Sequence, residues 1–545
     1  MCMAIKKNGI LHKIGNVAVT QEIVNEVGSK DTETPSGEIF NNYDNNRATG
    51  QFSHAEGHTS LASGYGSHAE GGKSNPIFAN GDQEKLVPID YYGKSGATSS
   101  GIFSHAEGGS TTASGLCSHA EGGDTKATAD NSHAEGGGTT ASGANAHTEG
   151  AGTTASGANS HAEGAGSTAI GPNSHAEGVG SVANGPNSHV EGGNTTTANS
   201  AVNSHAEGGS TSVSGAYAHA EGYQCQANGA NSHAEGSNTT TTNDAANSHA
   251  EGTGTTAGNT NSHAEGNGAK ANGANSHAEG GGTTASGSQS HAEGGGTTAS
   301  ADNSHAEGNG SVASGQNSHA EGGNSVASGT YAHVEGYQCH AYASTSHAEG
   351  NNTTTSNNAN NSHAEGDGTI TYGEASHAEG SNTKAYSAAS HAEGSYTTAN
   401  GMCTHAEGND TTASGYGSHA EGGKTTASGT YSHVEGYECQ AIGLASHASG
   451  SSTVARGTYQ FVIGTYNVER SCTFNPSDDP SIPALSGTLF IIGNGDGSDK
   501  KSNIVEVDTN KLRVFGDIVL AETDENGDTV EICSLRDIWN KVKDL

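Results

Sequence analysis

The stretch GGGTTASGANAHTEG, residues 136–150, decides how this chain is read. It holds one copy of His-x-Glu-Gly, a motif written 26 times in 545 residues. The motif histidines begin at His54 and His68, and resume at His105 after an insertion. From there they run to His433 in steps of 14, with three steps of 16. Within each 14 lie two half-repeats, Ser-His-Ala-Glu-Gly and Thr-Thr-Ala-Ser-Gly. Each ends in Gly, which reaches the positive φ of tight turns without steric cost. Strand, turn, strand, turn is one coil of a β-solenoid, with coils stacked about 4.7 Å apart. About 28 such coils would make a rod on the order of 130 Å long.

Composition supports order by repetition. Hydrophobic residues are 30% and aromatics 5%, with 84 Gly, too little apolar surface for a large conventional core. Net charge is −37 with no basic stripe, which argues against nucleic acid and against anionic membrane surfaces as partners. No apolar run is long enough to span a bilayer as a helix, and the first residues lack the pattern of a secretory signal peptide. The eight cysteines are scattered without Cys-x-x-Cys spacing, so neither a disulfide framework nor a zinc ribbon is expected.

Strand side chains alternate in direction. His and Glu therefore share one face of the first strand, and Ser and Ala share the other. The repeats act as an internal mutation series. The central Ala changes only to Val190, Val334, Val434 or Thr148, and the Ser to Ala146, Ala218, Ala332 or Thr404. Such small swaps mark the inside of a narrow coil. In the second strand, inward Ala127, Ala141, Ala169 and Ala271 stay small. Outward positions wander through Lys126, Ile170, Gln226, Lys270, His340, Tyr342, Lys384 and Tyr386, as a solvent face does. The constant His/Glu face implies a constant neighbour, and the simplest is another copy of the same face about an axis parallel to the solenoid.

This pattern resembles the head repeats of trimeric autotransporter adhesins, the YadA-like head, over roughly residues 52–457. The resemblance implies a homotrimer of left-handed parallel β-rolls whose first strand lines the trimer axis. His and Glu stand here where that family places Val and Ile. The expected axis is then a polar ladder of alternating His and Glu: His133, Glu135, His147, Glu149, His161, Glu163, His175 and Glu177, continued by His263, Glu265, His277, Glu279, His305, Glu307, His377 and Glu379. Buried polar positions of this kind fix register. The expected pairing is of His N–H with Glu carboxylate across chains, and it is expected to weaken in acid as Glu protonates, at or below about pH 4.3.

The segments ARGTYQFVIGTYNV and FIIGNGDGSDKKSNIVEVD, and the opening TPSGEIFNNYDNNRATGQFSHAEG, resemble phage and prophage tail-fibre proteins. That resemblance implies attachment to phage tail or baseplate proteins through the N-terminus. The family's C-terminal membrane-anchor barrel and the tail fibres' self-cleaving chaperone domain are not expected in this chain.

Other chemistries fare less well. His and carboxylate are zinc ligands, yet divalent ions in every coil would sit about 4.7 Å apart and repel. A metal array is the remote alternative, and no metal or other cofactor is expected. Identical repeats single out no convergent nucleophile, base and orienter, so no catalytic residue is assigned and no enzyme is expected. Cys225, Cys339 and Cys439, in Gly-Tyr-x-Cys copies, fall on the inward face as small buried hydrophobes. The outward Thr positions are too interrupted for an ice-binding face, and NGDGSD at 494–499 reads as a β-turn more readily than as a calcium loop.

The expected architecture is thus all-β, in four segments. Residues 1–50 attach or cap, and 51–457 form the solenoid with an insertion at 72–103. Residues 458–530 form a small β-domain with a hairpin turn at Asn526-Gly527. Residues 531–545 form an amphipathic helix through Ile532, Leu535, Trp539 and Val542, either clamping a trimer or packing on the β-domain. The insertion, with Tyr91 and Tyr92, is a functional loop or a bulge. Tyr91, Tyr92, Tyr342 and Tyr386 are the candidate surface contacts. The expected function is a trimeric fibrous adhesin or receptor-binding fibre that meets a host-cell receptor or glycan, on a virion or at a cell surface, with no membrane insertion. A bacterial surface or spore-coat spacer is the alternative.

Overall fold

A computed structural model describes residues 46–57, 59–71, 96–474, 485–509, 511–515, 519–523 and 529–534, residue 540, and four short strands before residue 46. The chain forms two compact units, Met1–Gly282 and Thr283–Leu545. Both are parallel β-solenoids. In the first, long strands such as His105–Gly109, His119–Gly123 and His133–Gly137 pair in parallel with the register His105↔His119↔His133. Short strands such as Thr112–Ala113, Lys126–Ala127 and Thr140–Ala141 form a second parallel ladder. The second unit repeats the arrangement, for example His305–Asn309 on His319–Gly323 and Val312–Ala313 on Val326–Ala327.

The core is a file of methyl groups. Ala134 and Ala141 are fully buried, and Val190, Val334 and Val434 fill the same position at 0% exposure. The space between the two strands of one coil holds mostly Ala, and the residues that replace it there, such as Val190, Val334, Val434 and Thr148, are themselves small. The preceding Ser is buried as well, and its hydroxyl donates to a carbonyl three residues back: Ser160 to Gly157 at 2.7 Å and Ser132 to Ala129 at 2.6 Å. A buried hydroxyl satisfied within its own turn carries no desolvation penalty. So little apolar area cannot hold the chain alone; the stack relies on backbone hydrogen bonds between coils, such as Thr140 N–H to Thr153 O at 2.8 Å.

The turns are as repetitive as the strands. The residue before each inward Ser takes a left-handed conformation, φ +57° at Asn145 and +56° at Asn159. Asn tolerates this region better than most residues. Stacked coils also align the amides into a hydrogen-bonded ladder. Each Nδ2 donates to the next Oδ1 from Asn131 to Asn145 at 3.2 Å, then at 2.9 Å through Asn159, Asn173, Asn187 and Asn203. The same column holds Ala375 and Ala389 at positive φ, so the ladder is supportive and not essential. Asn159→Ala is therefore expected to lower stability by about 1 kcal/mol, and Asn159→Gly by less, as read from urea midpoints. A loss above about 3 kcal/mol would mean that the amide ladder itself holds the turns.

At the C-terminal end the coil ladder passes into longer strands. Phe461–Thr465 pairs in parallel with His447–Ser451 and with Leu485–Asn494, so Phe461 and Phe490 extend the column of motif histidines. Asn503–Asp508 and Lys511–Val514 then add antiparallel strands. Val519–Thr523 pairs antiparallel with Thr529–Ser534, and the proposed turn residues Asn526 and Gly527 lie outside the described residues. The expected terminal helix is corrected at its start: Ile532 lies within the strand Thr529–Ser534. β-Branched Thr529, Val530 and Ile532 favour that extended pairing. Asn540 is helical, and Leu535, Trp539 and Val542 lie outside the described residues. Among the described residues, no helix is long and apolar enough to cross a membrane.

Candidate functional site: the histidine–glutamate face

Parallel, in-register stacking puts each residue over its own kind. His263 pairs with His277 and Glu265 with Glu279, and Glu293 pairs with Glu307 and Glu365 with Glu379. The alternating His/Glu ladder expected from sequence is therefore not what one chain builds. It builds a column of imidazoles beside a column of carboxylates. The rings stack face to face: His133 on His147 at 4.8 Å, His147 on His161 and His161 on His175 at 4.7 Å between centroids. In the second unit, His305 meets His319 at 4.7 Å and His377 meets His391 at 4.7 Å. The strand spacing of about 4.8 Å favours stacking, although His54 meets His68 edge-on and His433 meets His447 tilted.

Within a coil, Nε2 lies 4.0 Å from the carboxylate in His263–Glu265, 3.8 Å in His277–Glu279, 4.0 Å in His305–Glu307 and 3.9 Å in His377–Glu379. These are contacts between facing groups, longer than hydrogen bonds. Both members are partly exposed in a single chain, about 35% for His377 and 44% for Glu379.

The stacking decides the charge on the histidines. Burial between neighbouring rings pushes their pKa down, and the adjacent imidazoles push further in the same direction. The carboxylates act the other way and do not win. At His347 the result is a pKa lowered to about 4, with burial first and His363 and His333 next. At His161, His219, His305, His347 and His377 the imidazole is thus held toward its neutral form, beside a column of carboxylates.

The remaining sequence-predicted positions separate. Tyr342 and Tyr386 are both 39% exposed on the outward strand face, Tyr342 against His340 and Tyr386 stacked on Tyr372 at 4.8 Å. Tyr91 and Tyr92 lie outside the described residues. Cys225, Cys339 and Cys439 are fully buried, each with its thiol near the carbonyl of the preceding Tyr. Those tyrosines, Tyr223, Tyr337 and Tyr437, are half exposed and lie over Gly209, Gly323 and Gly423 of the coil before. Lys424 sits over the Tyr437 ring at 5.6 Å.

Sequence reasoning missed the polar plug at the C-terminal end. Gln460 stands 14 residues after Ser446, in the inward Ser column, and is fully buried. Its Oε1 accepts from Arg456 N–H at 2.9 Å and Gly457 N–H at 3.0 Å, and its Nε2 donates to Thr488 O at 2.8 Å. Glu506, 1% exposed, accepts from Arg470 at 2.8 Å and Asn503 at 2.7 Å. Gln460 thus satisfies backbone groups at the end of the stack, while Glu506 is held by side chains. A Gln interrupting a column of small inward residues was the available signal.

The family described as the YadA head domain repeat, in two copies per match, covers residues 162–188, 306–332 and 406–432. Each match spans coils whose small inward residues and Gly turns are described above. These are YadA-type head repeats. No curated protein matches the chain. The matched segments are similar to the head repeats of an adhesin-type fibrous protein.

Proposed function

We propose that this chain is a non-enzymatic, homotrimeric adhesin-type fibre that presents its YadA-type coils at a cell or virion surface and meets a host-cell receptor or glycan. The observation that carries the reading is the uniform His/Glu face. Each His-x-Glu-Gly coil offers the same imidazole and carboxylate, with Ser449 replacing the Glu only in the His447 coil, whereas the outward face of the second strand changes from coil to coil. A surface that never varies over so many coils is the mark of a partner that never varies, and a second and third copy supply one. In the trimer, carboxylates of one chain would face imidazoles of the next, which relieves the like-charge column that a lone chain carries. Many identical coils would also favour avidity at a cell surface. Tail-fibre attachment through the N-terminal segment belongs to the same proposal.

Light scattering with sedimentation of the full chain at pH 7.5 tests it, with a mass of three chains expected. A stable monomer overturns the axis. A trimer whose labelled form binds no cell type would replace the adhesin reading with that of a surface spacer.

A further inference from the structure

Five sets of side chains on the first unit share one geometry. In His133–Glu135–His147, His161–Glu163–His175, His175–Glu177–His189, His205–Glu207–His219 and His219–Glu221–His233, one ligand atom from each residue lies within 4.8 Å of the other two. Each set comes from two adjacent coils of a single chain, so it does not depend on the proposed trimer. We propose that these His–Glu–His sets are binding sites for a borderline divalent transition ion of the zinc, nickel or copper class, occupied in alternate coils.

The donor set selects the ion class. Two imidazoles and one carboxylate suit zinc, nickel and copper and leave a position open. Calcium and magnesium require more oxygens than one carboxylate provides. A metal takes the imidazole through a ring nitrogen that is not otherwise engaged. The Nε2 atoms of His133, His147, His161, His175, His189, His205, His219 and His233 have no hydrogen-bond partner within the chain. The flanking carboxylate column, one negative charge per coil, supplies the attraction that draws a cation to the face. Bringing the nitrogens to about 2.0–2.1 Å from a metal requires rings to tilt out of the stack, while the strands beneath stay fixed by their ladder.

Occupancy follows from sharing. His175 belongs to two sets and His219 to two others, so neighbouring sets exclude each other. Alternate filling places ions about 9.5 Å apart, near a Debye length in physiological salt. The repulsion that forbids an ion in every coil is thereby largely screened.

The test is equilibrium dialysis of the untagged full chain against Co²⁺ and Zn²⁺ at pH 7.5, with the visible ligand-field spectrum of bound Co²⁺ as a second readout. The expected result is several ions per chain, no more than one for every two of the 26 motif histidines (26/2 = 13), with a spectrum showing nitrogen ligation. A His161→Gln/His175→Gln chain should bind about one ion fewer and lose the matching share of the spectrum. Fewer than one ion per chain overturns the proposal. So does Co²⁺ uptake matched by Ca²⁺, because carboxylates alone would then be the ligands. Should the double variant fail to fold, the stoichiometry and spectrum of the unsubstituted chain still decide.

Discussion

Gly192→Ala is expected to abolish cooperative folding of the coils around it, whereas Gly193→Ala, one residue on, is expected to be silent. Gly192 holds φ +115°, and a Cβ there would lie 2.0 Å from the carbonyl oxygen of Gly208 in the next coil. That oxygen belongs to a parallel backbone ladder, with Gly192 paired to Gly208, and cannot move without breaking it. Strain at such a φ alone costs on the order of 1–3 kcal/mol, and the backbone clash adds to it. Gly193 has no positive φ and nothing within 4 Å of its would-be Cβ. Thermal melts and limited proteolysis of the two variants check this directly. Equal melting points would mean that the Gly column serves something other than close coil-to-coil approach.

The second large effect is acid lability in a window set by histidine. With a metal chelator present, the melting temperature is expected to fall by on the order of 10 °C between pH 7.5 and pH 5. The sign follows from the lowered pKa. An unfolded chain takes protons on its imidazoles near pH 6.5, but folded His347 takes one only near pH 4. Between these values the unfolded state binds more protons, so stability is full above about pH 6.5 and falls as pH drops toward 4. His305, His319, His377, His391, His405 and His419 shift in the same direction, and the effects accumulate along the column. Glu335 and Glu365 oppose the shift at His347 without reversing it. The window therefore lies above the one expected from loss of His–Glu pairing at or below about pH 4.3. His347→Phe should keep a ring in the column, as Phe461 does at 4.6 Å from His447 with its ring tilted, and shallow the acid slope. A melting temperature flat from pH 7.5 to 5 would show that the stacked rings are not held neutral.

Much of this was legible in the residues. The 14-residue period dictated the coil, since two Gly-terminated half-repeats admit little else. The substitutions tolerated at Ala134-type and Ser132-type positions separated inside from outside, and the buried Cys225, Cys339 and Cys439 fell on the side that alternation assigned. These features are local. They depend on the two-residue alternation of a strand and on the φ that Gly allows, both of which any stretch of chain carries with it.

What stands against what was decided only in three dimensions. Sequence places His and Glu on one face but does not say which meets which. Parallel register settled that, putting His over His and Glu over Glu, because each coil, of 14 or 16 residues, returns the motif strand to the same column. That stacking, and the burial it brings, pushes the pKa of His161, His219, His305 and His377 down within the chain. Likewise Ile532 has the spacing of a helix and lies in a strand, because Val519–Thr523 offers its neighbours Glu531 and Cys533 a pairing edge, with Ile532 at the bulge between them, that no local pattern reveals.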